Sequence, residues 1–419
     1  MPDDAQQHAP RPVERGVLPL AGVRVLDLSR VLAGPVCCQV LGDLGADVVK
    51  VERPVVGDDT RQWGPPFLGG DDPSERGPSA YYLSCNRNKR GIALDLEQPA
   101  AREVLDDLIR RADVLVENFL PAALAKFGLE PARLRSLNPR LVSVSISGFG
   151  RTGPLADAPG YDLAIQALAG LMAITGEPDG APMKVGVAIS DVLTGLYAAI
   201  SAISGLHARG RGQAGASFDL ALADCTLASL VNVVQSTLLT GRRPRRYGNA
   251  HPQIVPYEAF ATADGHLVLA VGNDRQWQRF CRAAGRDDLA ADSRYATNPL
   301  RVENRETLIA ELRREFQSRS NAAWLALLAQ AEVPHAPVVP IDEGLAAPQT
   351  VARGMVQTAT DSCGRTFRLL ASPIHVNGSG PLPVAAPPAL GEHTDEVLRQ
   401  WLGLTDERIA DLRTSGAIA

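Results

Sequence analysis

Over the first third of the chain, short apolar runs alternate with helical periodicity. Arg24-Val25-Leu26-Asp27-Leu28 reads as a buried strand. Gly34-Pro35 opens a helix that runs to Leu44, and Gly45 closes it. Asp47 to Val51 reads as a second strand, Ile92 to Leu96 as a third, and a helix follows from Pro99 to Arg111. Asp113 to Val116 and Leu141 to Ser145 add two more strands. This βαβ rhythm predicts an α/β fold with a mostly parallel, helix-covered sheet.

Further along, the pattern changes. Residues 56–81 are rich in Gly, Pro and Asp and lack periodicity, as long functional loops do. From Gly160 to Gly241 the pattern is helical, with long apolar helices expected at Asp191–Ala208 and Leu220–Leu239. Ala259–Thr262 and His266–Val271, joined at Asp264-Gly265, predict a β-hairpin. Helices at 274–284, 301–318 and 322–330 complete a smaller α+β lobe. Pro334 to Pro340 reads as a strand returning to the main body, Pro381 to Pro388 as extended, and 397–402 and 407–412 as a helical tail. The chain thus divides into a disordered tail (1–16), a large domain (17–220), a small domain (221–333) and a return segment (334–419).

Composition narrows the function classes. The 419 residues are 45% hydrophobic and 21% charged, with a formal net charge of -5, ordinary for a globular protein and unsuited to holding nucleic acid. The six cysteines form no C-x-x-C pair and have no histidine cluster beside them, so neither a metal site nor a disulfide framework is expected. The N-terminus lacks a signal pattern and no run of eighteen apolar residues occurs, so a cytoplasmic protein without a membrane span is expected.

The chemistry is less direct. The turn after the first strand, Ser29 to Pro35, lacks G-x-G-x-x-G, which argues against a dinucleotide despite Glu52 at the end of the second strand. Asn86-Arg87-Asn88-Lys89-Arg90 is either a solvated turn or a phosphate contact. Arg242 to Arg246 is either surface charge or a carboxylate clamp. Asp179 stands on the tight turn Thr175-Gly176-Glu177-Pro178-Asp179-Gly180, where aspartates usually brace their own backbone. Ser-His-Asp, kinase, glycosidase and P-loop signatures are absent.

Taken together, several segments are more specific. Leu32-Ala33-Gly34-Pro35, Leu41 to Glu52, Asn86 to Arg90, Ala112 to Phe119, Ser147 to Gly150 and Pro159-Gly160-Tyr161-Asp162 occur in order. Gly170-Leu171-Met172, Thr175 to Gly180, Gly210 to Gln213 and Leu390 to Thr394 follow. This series resembles the class III CoA-transferase (CaiB/BaiF) family from about Leu18 to Leu402. Gly57 to Phe67 and Arg246 to His251 resemble its succinyl-CoA:glutarate branch.

The resemblance implies a Rossmann-like large domain built from both chain ends, a smaller domain, and an interlocked homodimer. It implies that CoA moves from an acyl-CoA such as succinyl-CoA to a small, dicarboxylic acid. The route is an aspartyl mixed anhydride and an aspartyl-CoA thioester, with no bound cofactor beyond CoA as substrate. The nucleophile would be Asp179, with Asp162 second. Arg53 and Lys126 would face the CoA nucleotide, Leu94 and Leu96 would border adenine, and Asn118-Phe119 would line the pantetheine channel. Arg246 and His251 would hold the distal carboxylate. Gly148–Gly150 and Gly176–Gly180 would offer N–H groups to oxyanions. The competing functions are an α-methylacyl-CoA racemase, against which Tyr161 stands where racemases carry His, and a non-catalytic CoA-binding protein.

Overall fold

The protein is described by a computed structural model covering residues 18–72, 75–378 and 380–419. The tail expected over 1–16 lies outside the described residues. The chain forms two compact units. One comprises residues up to 171, 185–235 and 347–419, and the other 172–184 and 236–346.

The larger unit is built on a six-stranded sheet. Its strands are β1 (Arg24–Asp27), β2 (Asp47–Glu52), β3 (Lys89–Ala93), β4 (Val114–Glu117), β5 (Val142–Ser147) and β6 (Ser217–Ala221), in spatial order β3-β2-β1-β4-β5-β6. All neighbouring pairs are parallel. The helices through this region are α1 (Ala33–Asp43), α2 (Ala80–Cys85), α3 (Pro99–Arg111), α4 (Pro121–Phe127), α5 (Pro131–Leu137), α6 (Asp162–Leu168), α7 (Leu171–Ile174), α8 (Ile189–Gly210) and α9 (Leu222–Ser229).

Alternate strand residues feed two cores. Leu26, Val49, Ile92 and Leu115 pack with α3 and with Trp401, Ile409 and Leu412 from the chain's end. Val25, Val48, Val114, Val142 and Val144 pack with α1 and α8 on the other face. The C-terminal segment therefore covers the sheet. It bonds to β3, as in His393 N–H to the Gly91 carbonyl at 2.8 Å, and forms an isolated bridge from Leu94 to Ile418, but it adds no strand to the sheet, and all six strands come from residues 24–221.

Three sequence expectations are corrected. The third strand starts at Lys89, before the expected Ile92, because Lys89 and Arg90 form internal ion pairs instead of a solvated turn. β6 occupies part of the segment read as helix 220–239, because the apolar run of an edge strand continues directly into a helix. That helix is also interrupted at Val231, whose φ is 25°. A hairpin, β10 (Val356–Thr360) and β11 (Thr366–Leu370), occurs in the return segment.

The helix α8 is long and apolar enough to cross a membrane by length and composition. Within the larger unit one of its faces, including Ala198, Ala199 and Ala202, is buried in the core, while Leu196, Tyr197 and Ile200 stay exposed.

The second unit carries an antiparallel sheet of β7 (Tyr257–Ala261), β8 (His266–Ala270) and β9 (His335–Pro337). Helices 274–284, 305–316 and 321–330 supply Trp277, Phe280, Phe316 and Trp324 to its core. Its limits differ from the expected 221–333. α9 carries Leu222 into the core of the larger unit, and β9 pairs with β8.

Candidate active site

In a parallel sheet of this order, the strand sequence reverses between β1 and β4, and the loops leaving those strands diverge. Ligands bind in such crevices, at the carboxyl ends of the strands. Here the loop after β1 and the loop after β4 are tied together by one side chain. Asn118 accepts from the Arg30 N–H at 3.0 Å and donates to the Arg30 carbonyl at 2.7 Å. Asn118 thus shapes the crevice through Arg30.

Two clefts open there. The first has a volume of about 240 Å³ and is lined by Arg30, Arg53, Leu94, Leu96, Phe119 and Phe127, among others. The second, of about 180 Å³, shares Arg30 and Phe119 and adds Asn118, Gly148, Gly160, Tyr161 and Asp191. Arg53, Leu94, Leu96, Asn118 and Phe119 are therefore brought together along these two clefts. Leu94 is also a core residue. Arg53 is exposed, and among the described residues its guanidinium has no acidic partner. Lys126 differs: its ammonium is paired with Glu97 at 2.6 Å on the surface. A larger cleft, about 410 Å³, lies at the amino ends of β2 and β3, where Asp47 is already paired with Arg90.

Charge buried beneath the crevice holds its rim. Lys50 is fully buried and donates to Asp58 and to the Ser29 carbonyl, each at 2.9 Å. Asp58 also accepts from Thr60 Oγ1 at 2.7 Å and, at 3.3 Å, from the N–H of Val31. Burial raises the Asp58 carboxyl, but Lys50 and the Thr60 bonds outweigh it and hold it at about 2. Val31 has a φ of 72°, an unusual conformation for a β-branched residue. Strain of this kind persists where surrounding contacts over-determine it, commonly at functional sites.

The basic run Asn86–Arg90 belongs to this foundation, which is neither of its two expected roles. Lys89 pairs with Asp27 at 2.9 Å with both side chains fully buried, and Arg87 pairs with Asp43.

The second cleft lies beside two neighbouring aspartates, Asp162 and Asp191. Gly148, following β5, and Gly160 cross so closely that a Cβ on either would lie 2.6 or 2.5 Å from the other's Cα. Only glycine permits this crossing, which seats Gly160-Tyr161-Asp162 at the strand end. Asp162, the first residue of α6, accepts from the Ser190 N–H at 2.8 Å and from Gln166 Nε2 at 2.7 Å. Gln166 is fully buried, so this carboxylate is fixed in place.

Asp191, in the first turn of α8, lies beside Asp162 and lines the cleft. Burial, and then the Asp162 charge, push its carboxyl up to about 7. Tyr81 is near both, and burial followed by Asp191 raises its hydroxyl to about 12.

Asp179 has a different setting. It is exposed on the turn of the second unit, and its carboxylate has no hydrogen-bond partner among the described residues. Arg246 braces that turn, donating to the carbonyls of Glu177 at 3.0 Å, Ala173 at 3.4 Å and Gly180. Three of its five N–H donors thus serve the backbone of the turn. His251 is half-buried, and its Nδ1 accepts from the Gln253 N–H at 3.1 Å. Burial, then Arg305, lower its pKa and keep it neutral, leaving Nε2–H as a donor. Two expected oxyanion donors are also occupied: Gly150 N–H bonds to Ser147 Oγ and Gly180 N–H to the Glu177 carbonyl.

The CoA-transferase family III profile matches residues 20–394. The chain belongs to CoA-transferase family III. It is 46% identical over 385 residues to the succinate–glutarate CoA-transferase of Agrobacterium fabrum, covering 91% of this chain and 95% of that protein. The succinyl-CoA:glutarate CoA-transferase of Homo sapiens is 37% identical, over 96% of this chain and 90% of that protein. A solved CaiB/BaiF family protein from Brucella suis superposes with a TM-score of 0.79 at 42% identity, covering 92% and 99% of the two chains. The protein is therefore a CoA-transferase, and its substrates are a CoA thioester and a carboxylic acid.

For a family III transferase, the residues that sequence reasoning passed over are informative. Arg30 and Asp191 carry no local signal, since their neighbours Asn118 and Asp162 are distant in sequence, whereas Asp58 meets Lys50 eight residues before it and Thr60 two residues after it. Gln166 stands four residues after Asp162, one helical turn on, and this spacing was its one available sign.

Proposed function

We propose that this protein transfers CoA from succinyl-CoA to a small dicarboxylic acid such as glutarate, with Asp162 as the nucleophile. The observation that carries this reading is the Asp162 carboxylate, held by Ser190 and Gln166 beside a cleft that shares Arg30 and Phe119 with the crevice containing Arg53. The named activities of the Agrobacterium and human relatives support the substrate pair.

The chemistry follows from the ionised carboxylate, which needs no general base. Asp162 attacks the thioester carbonyl, a mixed anhydride forms, and CoA thiolate leaves. The thiolate attacks the aspartyl carbonyl and releases the first acid, giving an aspartyl-CoA thioester. The acceptor carboxylate attacks that thioester, expelling thiolate again. The thiolate then attacks the acyl carbonyl of the second anhydride, which restores Asp162. Exchange between thioesters is nearly isoenergetic, so positioning and oxyanion stabilisation supply the catalysis.

The crevice supports a division of labour in CoA binding. Leu94, Leu96 and Phe119 offer apolar surface to the adenine and pantetheine. Arg53 offers an unpaired charge to a phosphate, and Lys126 reaches one by exchanging Glu97 for it. Arg53→Ala is expected to raise KM for succinyl-CoA about tenfold with little change in kcat. Steady-state kinetics with 3'-dephospho-succinyl-CoA as comparison would show a smaller ratio if Arg53 meets the 3'-phosphate.

In the family-like dimer, the exposed apolar face of α8 gains a partner. Ile200 is 60% exposed, beside Leu196 and Tyr197. Light scattering should give twice the 44.5 kDa chain mass, and Ile200→Glu should shift it toward the single chain.

The test of function is mass spectrometry of the protein with succinyl-CoA and a panel of free acids. New acyl-CoA species, best with a dicarboxylate, support the proposal. Their absence across the panel would end it.

A further inference from the structure

Asp162 and Asp191 form a pair of carboxyls with opposite surroundings. Asp162 has two donors. Asp191 has none among the described residues, is half-buried, and points into the cleft that Gly148, Gly160 and Tyr161 also line. Adjacent carboxylates do not both ionise readily, and the one with donors keeps the charge.

Resting on the reading of Asp162 as nucleophile, we propose that Asp191 is a second catalytic residue, which carries a proton in the resting site and passes it to the CoA sulfur when Asp162 is acylated.

The step balances. Anhydride formation removes the negative charge from Asp162 and creates CoA thiolate in the same cleft. Without its charged neighbour, Asp191 becomes a stronger acid. It gives its proton to sulfur, leaving Asp191 carboxylate and CoA thiol. When sulfur next attacks the aspartyl carbonyl, the C–S bond forms, the anhydride C–O bond breaks, the first acid departs as its carboxylate and the thiol proton returns to Asp191. No proton is gained or lost over the cycle. The same exchange serves the second half-reaction.

The surroundings permit this role. α6 brings Asp162 to the start of α8, and α2 brings Tyr81, which stays protonated in the neutral range. The loop after β1 brings Arg30, itself 3.4 Å from Asp59. α9 brings Cys225, which bonds to Thr194, while α1 faces the helix with Ala33 and Val36. β5 contributes no titratable side chain. Asp162 is thus the dominant charge acting on Asp191, and its loss is the event Asp191 senses.

The experiment compares kcat from pH 5.5 to 9.5 for the wild type, Asp191→Asn and Asp191→Glu. A quenched mass-spectrometric assay for the Asp162-linked CoA adduct runs alongside. The wild type should lose activity as pH rises through about 7, where Asp191 deprotonates. Asp191→Asn should lose that limb and about 10²-fold in kcat while KM for the acyl-CoA stays within about twofold. Asp191→Glu should keep a limb at a shifted position.

A wild-type profile without a limb between pH 6 and 8 overturns the proposal whether or not the variants fold. So does an Asp191→Asn enzyme with wild-type kcat and profile. The adduct assay separates the two claims. An adduct on Asp162 with an unaltered Asp191→Asn profile removes only the role of Asp191. An adduct on another residue removes the nucleophile assignment and this inference with it.

Discussion

Asp162→Ala is expected to lower kcat for acyl-CoA exchange by about 10⁴-fold or more, the scale on which loss of a covalent nucleophile is felt. No neighbour replaces it. Asp191 has, among the described residues, no donors of the kind that hold and orient the Asp162 carboxylate, which makes it a poor substitute. KM for succinyl-CoA should change little, because the 240 Å³ cleft that contains Arg53, Leu94 and Phe119 is untouched. Asp179→Ala should retain nearly full activity, since that side chain is exposed and makes no hydrogen bond among the described residues. Both kcat values, measured with an Asp162→Asn control for folding, decide the point. Loss confined to the Asp179 variant would return the nucleophile to the turn.

The second large effect is on stability. Asp58→Ala should cost about 3–5 kcal/mol, because it leaves the Lys50 ammonium buried without its partner. The same change removes the acceptor of the Thr60 hydroxyl and of the Val31 N–H, so the strained loop at the crevice rim should loosen as well. Urea unfolding followed by circular dichroism measures the first effect, and a raised KM for acyl-CoA the second. Asp58→Ala together with Lys50→Met should recover much of the loss, since the penalty comes mainly from the orphaned charge.

The pH dependence has a definite sign. Asp58 is held at about 2 in the folded chain, below its unfolded value near 4, so its contribution is present above pH 4. That stability is lost as pH falls from about 4 toward 2. The wild type should therefore lose stability more steeply than Asp58→Ala over that interval.

Much of this protein was legible before its structure. The apolar runs at Arg24–Leu28, Asp47–Val51, Asp113–Val116 and Leu141–Ser145 mark four of the six parallel strands, because a strand buried on both faces has a local signature. The ordered motifs from Leu32 to Thr394 identify the family, since they record a shared ancestry that no single segment does. Arg53, Leu94, Leu96, Asn118 and Phe119 also meet at one crevice, for a simple reason: each lies within a few residues after the end of a parallel strand, and those ends share one edge of the sheet.

The tertiary structure decided what depends on partners remote in sequence. Lys89 reads locally as part of a basic turn, yet it is buried because Asp27, 62 residues earlier, neutralises it. Arg246 reads locally as one of a basic run, yet three of its donors brace carbonyls about 70 residues away. Asp162 and Asp179 are both aspartates in Gly-rich segments, and the resemblance of their flanking residues to the family ranks Asp179 first. Asp162 is set apart by the Ser190 N–H, 28 residues on, by a fully buried Gln166, and by a second carboxyl, Asp191, which burial and then the Asp162 charge raise. Periodicity and motif report what the chain does over one or two turns. The electrostatics of a site is a sum over whatever folding brings near, so it exists only once the chain has closed upon itself.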